Sequence, residues 1–536
     1  VFGGGTTDAF RAFVEAADAF AMREPDYARW RSLLRSLGGA LGVAATRVDQ
    51  YFDQHVPEIV RAAHHVRVGR ARLECPAASA AAEKERSPFA ETRHARSLLE
   101  RIACCVQLAT PVLLTGETGT GKTTVVQKLA ALSNRKLAVF NLSQQSDASD
   151  LLGGFRPVDT AAVALALRET FDALFARTAS TSKNMAFLDS VRQAHARRDW
   201  RRLARLFQAA VKMAEEMLAR AGASKKARVA AAEQVSSLHA AWREFAARVA
   251  SFEAVRGARV AFAFAEGALV QAARTGGWIL LDEANLATAE TLACLGGLLQ
   301  PSGARSLVLA ETGERIACHP DFRLFACMNP ATDVGKRDLP AGLRRAFAEF
   351  YVHPPDAHPD DLLAIVRAHL PTAADSVARG VIAFYAAAKR LAAEHRLVDG
   401  AGARPHYSLR TLTRALTFAR EHQAAYSLRR ALADGLTMTF ATQLDAASQA
   451  LVLQALAEHA VPGMTPAMMS HVPPTPAPDC VLVEGFWLRS GAEPSLDAPP
   501  FIATPSVAAK LRGLARAVMC SRYPVRGRGP AAAGRS

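Results

Sequence analysis

Apolar residues recur at steps of three and four positions near the start of the chain, and this spacing predicts amphipathic helices. Residues 8–65 follow the pattern, so we expect them to be helical. The next segment, 66–76, alternates apolar and polar positions and predicts a strand. A loop is expected at 77–89, followed by a helix at about 91–109.

Short apolar runs further along the chain predict buried strands. They lie at residues 111–115, 136–142, 278–282, 306–310, 323–329 and 349–352. Helical patterns dominate residues 359–459, and the Pro-rich stretch 462–480 predicts a linker. Strands that alternate with helices favour an α/β fold, in which helices sandwich a parallel sheet.

Residues 162–256 differ from the rest because they are rich in Ala, Arg, Glu and Leu and contain almost no Gly or Pro. They predict a helical insertion, with an apolar stripe formed by Trp200, Leu203, Phe207 and Val211. Arginines surround that stripe at positions 197, 198, 201, 202 and 205. We favour a solvated face for these arginines, and a docking surface for a partner is the alternative.

The composition excludes a mainly disordered, collagen-like or disulfide-scaffold chain, since 50% of the residues are hydrophobic and 21% are charged. A net charge of +15 fits a polyanionic neighbour such as nucleic acid. The basic residues are scattered, however, so ordinary solvated surfaces are the favoured explanation. The eight Cys have no metal-ligand spacing, which predicts reduced thiols in a cytosolic or nuclear protein.

No apolar run reaches the ~18 residues that a membrane-spanning helix needs, so we expect no membrane partner. The chain begins at Val1 without a Met or a recognisable signal peptide. We interpret this start as that of a fragment or of an incomplete gene model.

A glycine-rich loop is the sharpest chemical signal. Gly116, Gly121, Lys122 and Thr123 satisfy G-x-x-x-x-G-K-[ST] between a predicted strand and a predicted helix. Backbone N–H groups and a helix N-terminus in such a loop wrap phosphates, the Lys reaches the β- and γ-phosphates, and the Thr holds Mg²⁺. The candidate ATP-binding residues are Gly116, Glu117, Thr118, Gly119, Thr120, Gly121, Lys122, Thr123 and Thr124.

Two other predicted strands end in polar residues that suit the same chemistry. Asp282 ends one strand and can hold Mg²⁺ together with Thr123, while Glu283 can polarise a water molecule. Asn329 ends another strand and can orient that water. The carboxyl ends of parallel strands meet at one edge of a sheet, so these residues indicate Mg·ATP hydrolysis. The alternatives are a surface acid at Glu283 and a turn residue at Asn329.

With these residues in hand, the sequence resembles the midasin family, the dynein-related AAA ATPases of ribosome assembly. The resemblance is close over about 66–460 and is carried by GETGTGKTTVVQKLA, NLSQQSDASDLLGGFRPVD, GGWILLDEANL, HPDFRLFACMNPATDVGKRDLP and RPHYSLRTLTRAL. It implies an AAA+ core with a helical insertion and an α-helical lid, similar to the second of six modules in one ring. It also implies partial modules on either side.

The resemblance implies a domain order. Its segments are a preceding lid at 1–65, a core at 66–355 with the insertion at about 162–256, a lid at 356–460, a linker at 461–480 and the start of the next module at 481–536. The final GPAAAGRS keeps the phosphate-loop spacing but has Arg535 in place of Lys. Since Arg is not a conservative replacement at a tight phosphate site, we expect no working site there.

Further roles come from the resemblance alone. In such modules an Arg after L-P-x-G-[LI]-R-x faces the ATP of a neighbouring module, but this sequence has Ala346 there. Arg344 and Arg345 are the remaining candidates for a trans-acting Arg. Arg410 matches the lid Arg that contacts the γ-phosphate, with a surface charge as the alternative. The following module would complete the site at Lys122, so we expect this chain alone to bind ATP and hydrolyse it slowly.

The resemblance finally implies a remodelling ATPase of the nucleus, in the nucleolus and nucleoplasm. Its partners would be the other modules of the ring, the pre-60S ribosomal particle with its assembly factors, and nearby ribosomal RNA. The alternatives are a nucleotide-bound structural segment without significant hydrolysis and a MoxR-type chaperone that assembles rings from separate copies. A dynein motor is disfavoured, because no microtubule-binding stalk is recognisable.

Overall fold

The computed structural model describes eleven stretches of the chain. These are residues 7–76, 89–157, 160–180, 184–222, 229–256, 262–300, 305–309, 313–330, 338–357, 359–490 and 504–520. The chain divides into two compact units. One comprises Val1–Ser146, Ala272–Leu307 and Ala317–Ser536, and the other comprises Asp147–Gln271 and Val308–Ile316. Helices and strands are numbered below in chain order.

Three helices open the first unit, namely α1 (Thr7–Phe20), α2 (Tyr27–Ala40) and α3 (Ala45–Gln54). The expectation of helix throughout 8–65 is wrong at its end, where β1 (Ile59–Arg61) is a strand. Pro57 disfavours helix at this point, and the β-branched residues that follow suit a pleated sheet. The sheet is completed by β2 (His65–Val68) and β3 (Ala71–Glu74), in the antiparallel order β1-β2-β3.

A five-stranded parallel sheet forms the centre of the first unit and confirms the expected fold class. Its strands are β4 (Val112–Thr115), β5 (Leu137–Asn141), β8 (Trp278–Asp282), β11 (Arg323–Met328) and β12 (Ala348–Tyr351). The order across the sheet is β12-β4-β11-β8-β5, with all neighbours parallel. Because β4 and β8 both flank β11, the carboxyl ends of three strands lie together.

Five of the described helices precede or connect these strands. The helices are α4 (Arg93–Gln107), α5 (Lys122–Leu132), α11 (Ala268–Thr275), α12 (Ala289–Ala293) and α13 (Ala341–Arg344). Two brief strands, β9 (Ser306–Val308) and β10 (Arg315–Ala317), form a two-stranded sheet. The apolar faces of β4, α4 and α5 share one core, in which Ile102, Leu114 and Val126 are fully buried.

The second unit contains the predicted helical insertion. Its elements are α6 (Ala148–Leu152), β6 (Gly153–Pro157), α7 (Thr160–Thr178), α8 (Met185–Ala196), α9 (Trp200–Gly222), α10 (Val229–Arg256) and β7 (Phe262–Glu266). The predicted stripe is buried at Leu203, Phe207 and Val211, as the helical spacing indicated. The pattern missed β6 and β7, which pair antiparallel with Phe155 opposite Phe264, because Gly and Pro in β6 obscure its alternation.

Helices dominate residues 359–460, as predicted. They are α14 (Pro359–His369), α15 (Asp375–Ala393), α16 (Leu409–Tyr426), α17 (Leu428–Leu436) and α18 (Ala446–Ala455). Buried aromatic residues join them, and Tyr407 donates a hydrogen bond from its hydroxyl to the carbonyl of Phe440 at 2.7 Å. The Pro-rich stretch beyond them includes one short helix, α19 (Pro466–Ser470).

A hairpin and a helix near residue 500 repeat an arrangement from the start of the chain. The hairpin β13 (Cys480–Val483) and β14 (Phe486–Arg489) precedes α20 (Pro505–Met519), as β2 and β3 precede α4. Both helices have 15 residues and begin after a Thr whose side chain caps the first turn. The repeat ends before GPAAAGRS, which lies outside the described residues.

In each copy of this repeat, a charged residue of the hairpin turn forms an ion pair with a residue of the helix in the same copy. The signs of the two charges are reversed between the copies. Arg70 pairs with Glu100 at 3.2 Å in the first copy, and Glu484 pairs with Arg512 at 3.4 Å in the second. In both copies an aspartate from an earlier helix also binds an Arg of the repeat's helix. Asp18 of α1 lies 3.1 Å from Arg101, and Asp434 of α17 lies 2.8 Å from Arg516.

All eight cysteines are free thiols. Among the described helices, none combines the length and the apolar character that crossing a membrane requires.

Candidate nucleotide site

The glycine-rich loop joins the end of β4 to the start of α5. Gly121 precedes α5 with φ of 90°, and Gly119 has φ of 87°, so both occupy the left-handed region that glycine tolerates best. A Cβ on Gly116 would lie only 2.5 Å from the carbonyl oxygen of Val352. These constraints explain why glycines recur in the loop, whose backbone leads directly into the positive end of a helix.

Lys122 is the first residue of α5, and its side chain is buried, with 7% exposed. Its ammonium group donates to the carbonyl of Gly116 at 2.6 Å and to the carbonyl of Glu117 at 2.8 Å. A third bond reaches Oδ1 of Asn329 at 3.0 Å. The three ammonium donors are thus directed by two loop carbonyls and one side-chain amide.

The surroundings of Lys122 shift its pKa in two opposite directions. Burial lowers the pKa of Lys122 below its ordinary value, whereas Cys327, Glu283 and Asp282 act to raise it. Burial also raises the pKa of the Cys327 thiol, so that side chain stays neutral. The two carboxylates are therefore the groups that favour a charged Lys122.

The polar residues predicted at the strand ends meet beside this lysine. Thr123 donates from Oγ1 to Oδ2 of Asp282 at 2.8 Å, and Asn329 donates from Nδ2 to Oε1 of Glu283 at 3.4 Å. A hydroxyl and carboxylate oxygens are the ligand types that Mg²⁺ prefers, so the donor set at Thr123 and Asp282 fits that ion. The structure thus brings five predicted site residues into one polar network.

The backbone of Glu283 has an unusual conformation that the surrounding sequence does not predict. Its φ of 56° and ψ of 39° place it in the left-handed region directly after β8. Such a conformation costs a non-glycine residue about 1–3 kcal/mol and is often found at functional sites. The turn begins a short 3₁₀ segment, Ala284–Leu286, and ends the strand abruptly.

Asn285 is a site residue that the sequence analysis missed. It is buried, with 2% exposed, and its Nδ2 donates to the backbone carbonyl of Asn329 at 3.0 Å. This bond ties the turn after β8 to the end of β11. The only sequence signal was its place two residues after Glu283, which could equally mark a helix start.

A cleft of about 410 Å³ opens over these residues. We call it the phosphate cleft, and its lining includes Thr118, Gly119, Thr120, Gly121, Lys122, Thr123, Thr124, Asp282, Glu283, Asn329, His369 and Arg410. The lining also has an apolar part formed by Phe89, Ala90, Ile365 and Leu409. Its size and mixed lining are typical of small-molecule sites. Gly116 and Glu117 lie outside this lining and contribute carbonyls to Lys122 instead.

The lid helix α16 reaches the cleft through Arg410. A Cβ on Gly119 would lie 3.1 Å from the backbone nitrogen of Arg410, so the loop and the start of α16 are close. The Arg410 side chain is exposed. His369, at the end of α14, was not anticipated from the sequence, and burial lowers its pKa to about 4, with Arg420 acting in the same direction.

Neither candidate for the trans-acting Arg lines the phosphate cleft. Arg344 binds Glu349 through two nitrogens, at 2.9 and 2.7 Å, and Asp338 at 3.3 Å. The hydrogen bonds to Glu349 raise the pKa of Arg344 further. Arg345 is exposed, and its side chain has no hydrogen bond or ion pair to any residue that the structure describes.

A second cavity, of about 540 Å³, adjoins Arg344. We call it the Arg344 pocket, and its lining is Arg23, Pro25, Thr115, Glu117, Thr118, Met328, Pro330, Asp338, Arg344, Glu349, Tyr351 and His406. Much of the stretch between Pro330 and Asp338, which belongs to the N-P-A-T-D-V-G-K-R motif, lies outside the described residues.

A parallel sheet with a phosphate loop after β4, an acidic pair at the end of β8 and a helical lid defines a P-loop nucleotide-binding protein of the AAA class. Comparison with known families agrees. The model for the AAA domain of the dynein-related subfamily matches residues 111–232 and 250–347. The model for the midasin AAA lid domain matches residues 361–463.

Two curated relatives extend this result along the chain. Midasin of Dictyostelium discoideum is 31% identical over 587 aligned positions, which cover 98% of this chain and 10% of that protein. Midasin of Giardia intestinalis is 30% identical over 422 positions, covering 71% of this chain and 8% of that protein. The chain belongs to the midasin family of AAA ATPases. It spans about a tenth of the length of these relatives.

Proposed function

We propose that the phosphate cleft binds Mg·ATP and hydrolyses it to ADP and phosphate. The observation that carries this proposal is the hydrogen-bonded network from Lys122 through Asn329 to Glu283, beside the Thr123–Asp282 pair. These residues come from the start of α5 and the ends of two adjacent strands, and they supply a cation, a general base and oxygen ligands for Mg²⁺ in one place. The AAA family match supports nucleotide binding.

Each side chain has a distinct task in this proposal. Lys122 holds the β- and γ-phosphates and offsets their charge, because its ammonium is aimed by fixed carbonyls. Thr123 and Asp282 would hold Mg²⁺, which when bound polarises the phosphate oxygens. Glu283 accepts a proton from the attacking water on a carboxylate oxygen, and Asn329 orients that carboxylate. Arg410 adds a second cation from the lid.

The remaining lining suits the rest of the nucleotide. The apolar side chains of Phe89, Ile365 and Leu409 offer a surface for a base, away from the charged groups. Leu409 and Arg410 belong to the first turn of α16, so nucleotide contacts would bias the lid as well as the core. We infer that hydrolysis is coupled to motion of the lid.

We also infer the place of the chain in a larger ring. Residues 1–65 would be the lid of a preceding module, 66–355 the core, 356–460 its lid, 461–480 a linker and 481–536 the start of the next module. The repeated hairpin and helix, each tied to an earlier aspartate, supports this order. Because β1 pairs with β2, the core would begin at residue 59 rather than 66.

By analogy with the family, the whole ring would act in the nucleus. We propose that it remodels pre-60S ribosomal particles close to ribosomal RNA and releases assembly factors, with this segment as its second module. Completion of the cleft would fall to an Arg of the following module. The 536-residue chain alone is therefore expected to bind Mg·ATP and turn it over slowly.

Glu283→Gln tests the hydrolytic role. The amide cannot accept a proton, so single-turnover phosphate release should fall by roughly a thousandfold while Mg·ATP affinity is kept. Glu290→Gln, an exposed acid of α12, is the matched control and should release phosphate like the native chain. Equal release by Glu283→Gln and the native chain would favour a structural nucleotide. Fast phosphate release by the isolated native chain would favour self-assembly of separate copies, as in a MoxR-type chaperone.

A further inference from the structure

Arg344 lies in the segment expected to face a neighbouring module, yet its guanidinium group is bound within its own chain. Nε donates to Oε2 of Glu349 at 2.9 Å, and Nη2 donates to Oε1 at 2.7 Å. Two parallel bonds of this kind are the strongest geometry that an Arg and a carboxylate form. Only 10% of the Glu349 side chain is exposed, so the bond is shielded from solvent on the carboxylate side.

The same carboxylate reaches the strand that carries the phosphate loop. Thr115 donates from Oγ1 to Oε1 of Glu349 at 3.1 Å, although 234 positions separate the two residues. Thr115 is the last residue of β4 and is buried, with 6% exposed. The strands β12 and β4 are parallel neighbours, with Tyr351 opposite Thr115, so this contact follows from their register.

One residue further on lies the carbonyl group that binds Lys122. Gly116 follows Thr115, and its carbonyl accepts the shortest of the three bonds from Lys122, at 2.6 Å. Gly116 is also confined from the side, since a Cβ there would meet the carbonyl of Val352. Any shift at Thr115 is therefore transmitted to the atom that aims the ammonium group.

We propose that Arg344 and Glu349 are positioning residues that hold the start of the phosphate loop, and through it Lys122, in the geometry that binds Mg·ATP in the same chain. This inference rests on the proposed function of the phosphate cleft. It assigns Arg344 to its own module and leaves exposed Arg345 as the cation available to a neighbouring one.

The physical reason is the burial of Glu349. The side chain of Glu349 is nine-tenths buried. If the guanidinium group of Arg344 were removed, the Glu349 carboxylate would keep, of the two donors Arg344 and Thr115, the Thr115 hydroxyl alone. An under-satisfied buried charge is costly, so the strand end would rearrange to admit water or other donors. That rearrangement would disorder the carbonyl of Gly116 and weaken phosphate binding.

The experiment measures the Kd of the 536-residue chain for Mg·ATP by calorimetric titration. Arg344→Ala should weaken binding about tenfold, which corresponds to ~1.4 kcal/mol. Arg344→Lys should recover part of the loss, because it restores the charge without the two-bond geometry. The control is Arg367→Ala, which removes a solvent-exposed Arg that donates from one nitrogen to both carboxylate oxygens of Asp375, and it should leave Kd unchanged.

Glu349→Gln provides a second variant that keeps the shape of the side chain and should weaken binding a few-fold. In the double variant with Arg344→Ala, the combined loss should be smaller than the product of the single losses, since the two residues act as a pair. A merely structural role would lower the melting temperature without this coupling and without recovery by Lys.

Arg344→Ala with a Kd within twofold of the native value would overturn the inference, as would equal losses in Arg344→Ala and Arg344→Lys. Lys122→Ala distinguishes this failure from that of the proposed function. If Lys122→Ala weakens binding and Arg344→Ala does not, only the positioning role fails. If Lys122→Ala leaves binding unchanged, the proposed function fails and the positioning role fails with it.

Discussion

The two cavities beside the phosphate loop contain similar residue types arranged in different ways. In the phosphate cleft, Lys122 and Arg410 approach from the loop and the lid and face a common space. In the Arg344 pocket, Arg344 is locked to Glu349 by a two-bond contact. Thr118 lines both cavities, so the two environments are separated by only the thickness of the loop.

The difference lies in what satisfies each cation. Lys122 donates its hydrogen bonds to two carbonyls and an amide, all neutral groups, so no carboxylate takes up its ammonium donors, although Asp282 and Glu283 lie close enough to favour its charged form. The charge of Arg344 is already compensated by a carboxylate. A cation held by neutral acceptors suits ligand binding, whereas a cation paired with an anion suits a structural connection. On this ground we assign chemistry to the cleft and positioning to the pocket.

His369, in the lining of the phosphate cleft, gives the largest expected effect of this comparison. Burial in the cleft lowers the pKa of His369 to about 4 from its ordinary value of 6.5. A group whose pKa is depressed in the folded state contributes stability that is present above pH 6.5 and is lost as the pH falls towards 4. The free energy of unfolding should therefore drop by roughly 3 kcal/mol across this window because of His369 alone.

Urea denaturation at a series of pH values checks this prediction. His369→Gln should flatten that part of the profile, whereas His406→Gln, which replaces an exposed histidine of the Arg344 pocket, should leave it intact. If the free energy of unfolding of His369→Gln depends on pH as that of the native chain does, the cleft histidine is not held neutral by burial.

Asp282→Asn gives the next largest effect and tests whether the cleft is a metal site. The amide removes the negative charge opposite Thr123. The ratio of ATP affinity with Mg²⁺ to ATP affinity with EDTA should therefore fall by up to about a hundredfold. The measurement compares ATP binding with Mg²⁺ and with EDTA. Asp360→Asn, an exposed acid of α14, should keep the native Mg²⁺ dependence. Full Mg²⁺ dependence in Asp282→Asn would argue that the metal is held elsewhere.

The parts of the site that could be predicted are those fixed by local spacing. The segment from Gly116 to Thr123 needs only a strand before it and a helix after it, and β4 and α5 meet that condition. Asp282 and Asn329 could be expected to approach each other because each follows an apolar run, and parallel strands align their carboxyl ends.

The parts that could not be predicted depend on tertiary packing. The bond from Thr115 to Glu349 spans 234 positions and requires the register of β12 on β4. No residue pattern predicts the left-handed backbone conformation of Glu283. The strand β1 was missed since three residues give too short a pattern, and its pairing with β2 supplies the missing preference.

The role of the phosphate cleft is tested most directly by the affinity of the 536-residue chain for Mg·ATP, measured with Lys122→Ala beside Lys136→Ala. Lys122 is buried against the loop, while Lys136 is exposed before β5. Lys122→Ala should weaken binding by roughly a hundredfold, or ~2.7 kcal/mol, and Lys136→Ala should bind like the native chain. Native affinity in Lys122→Ala would contradict the assignment of the phosphate cleft as the nucleotide site.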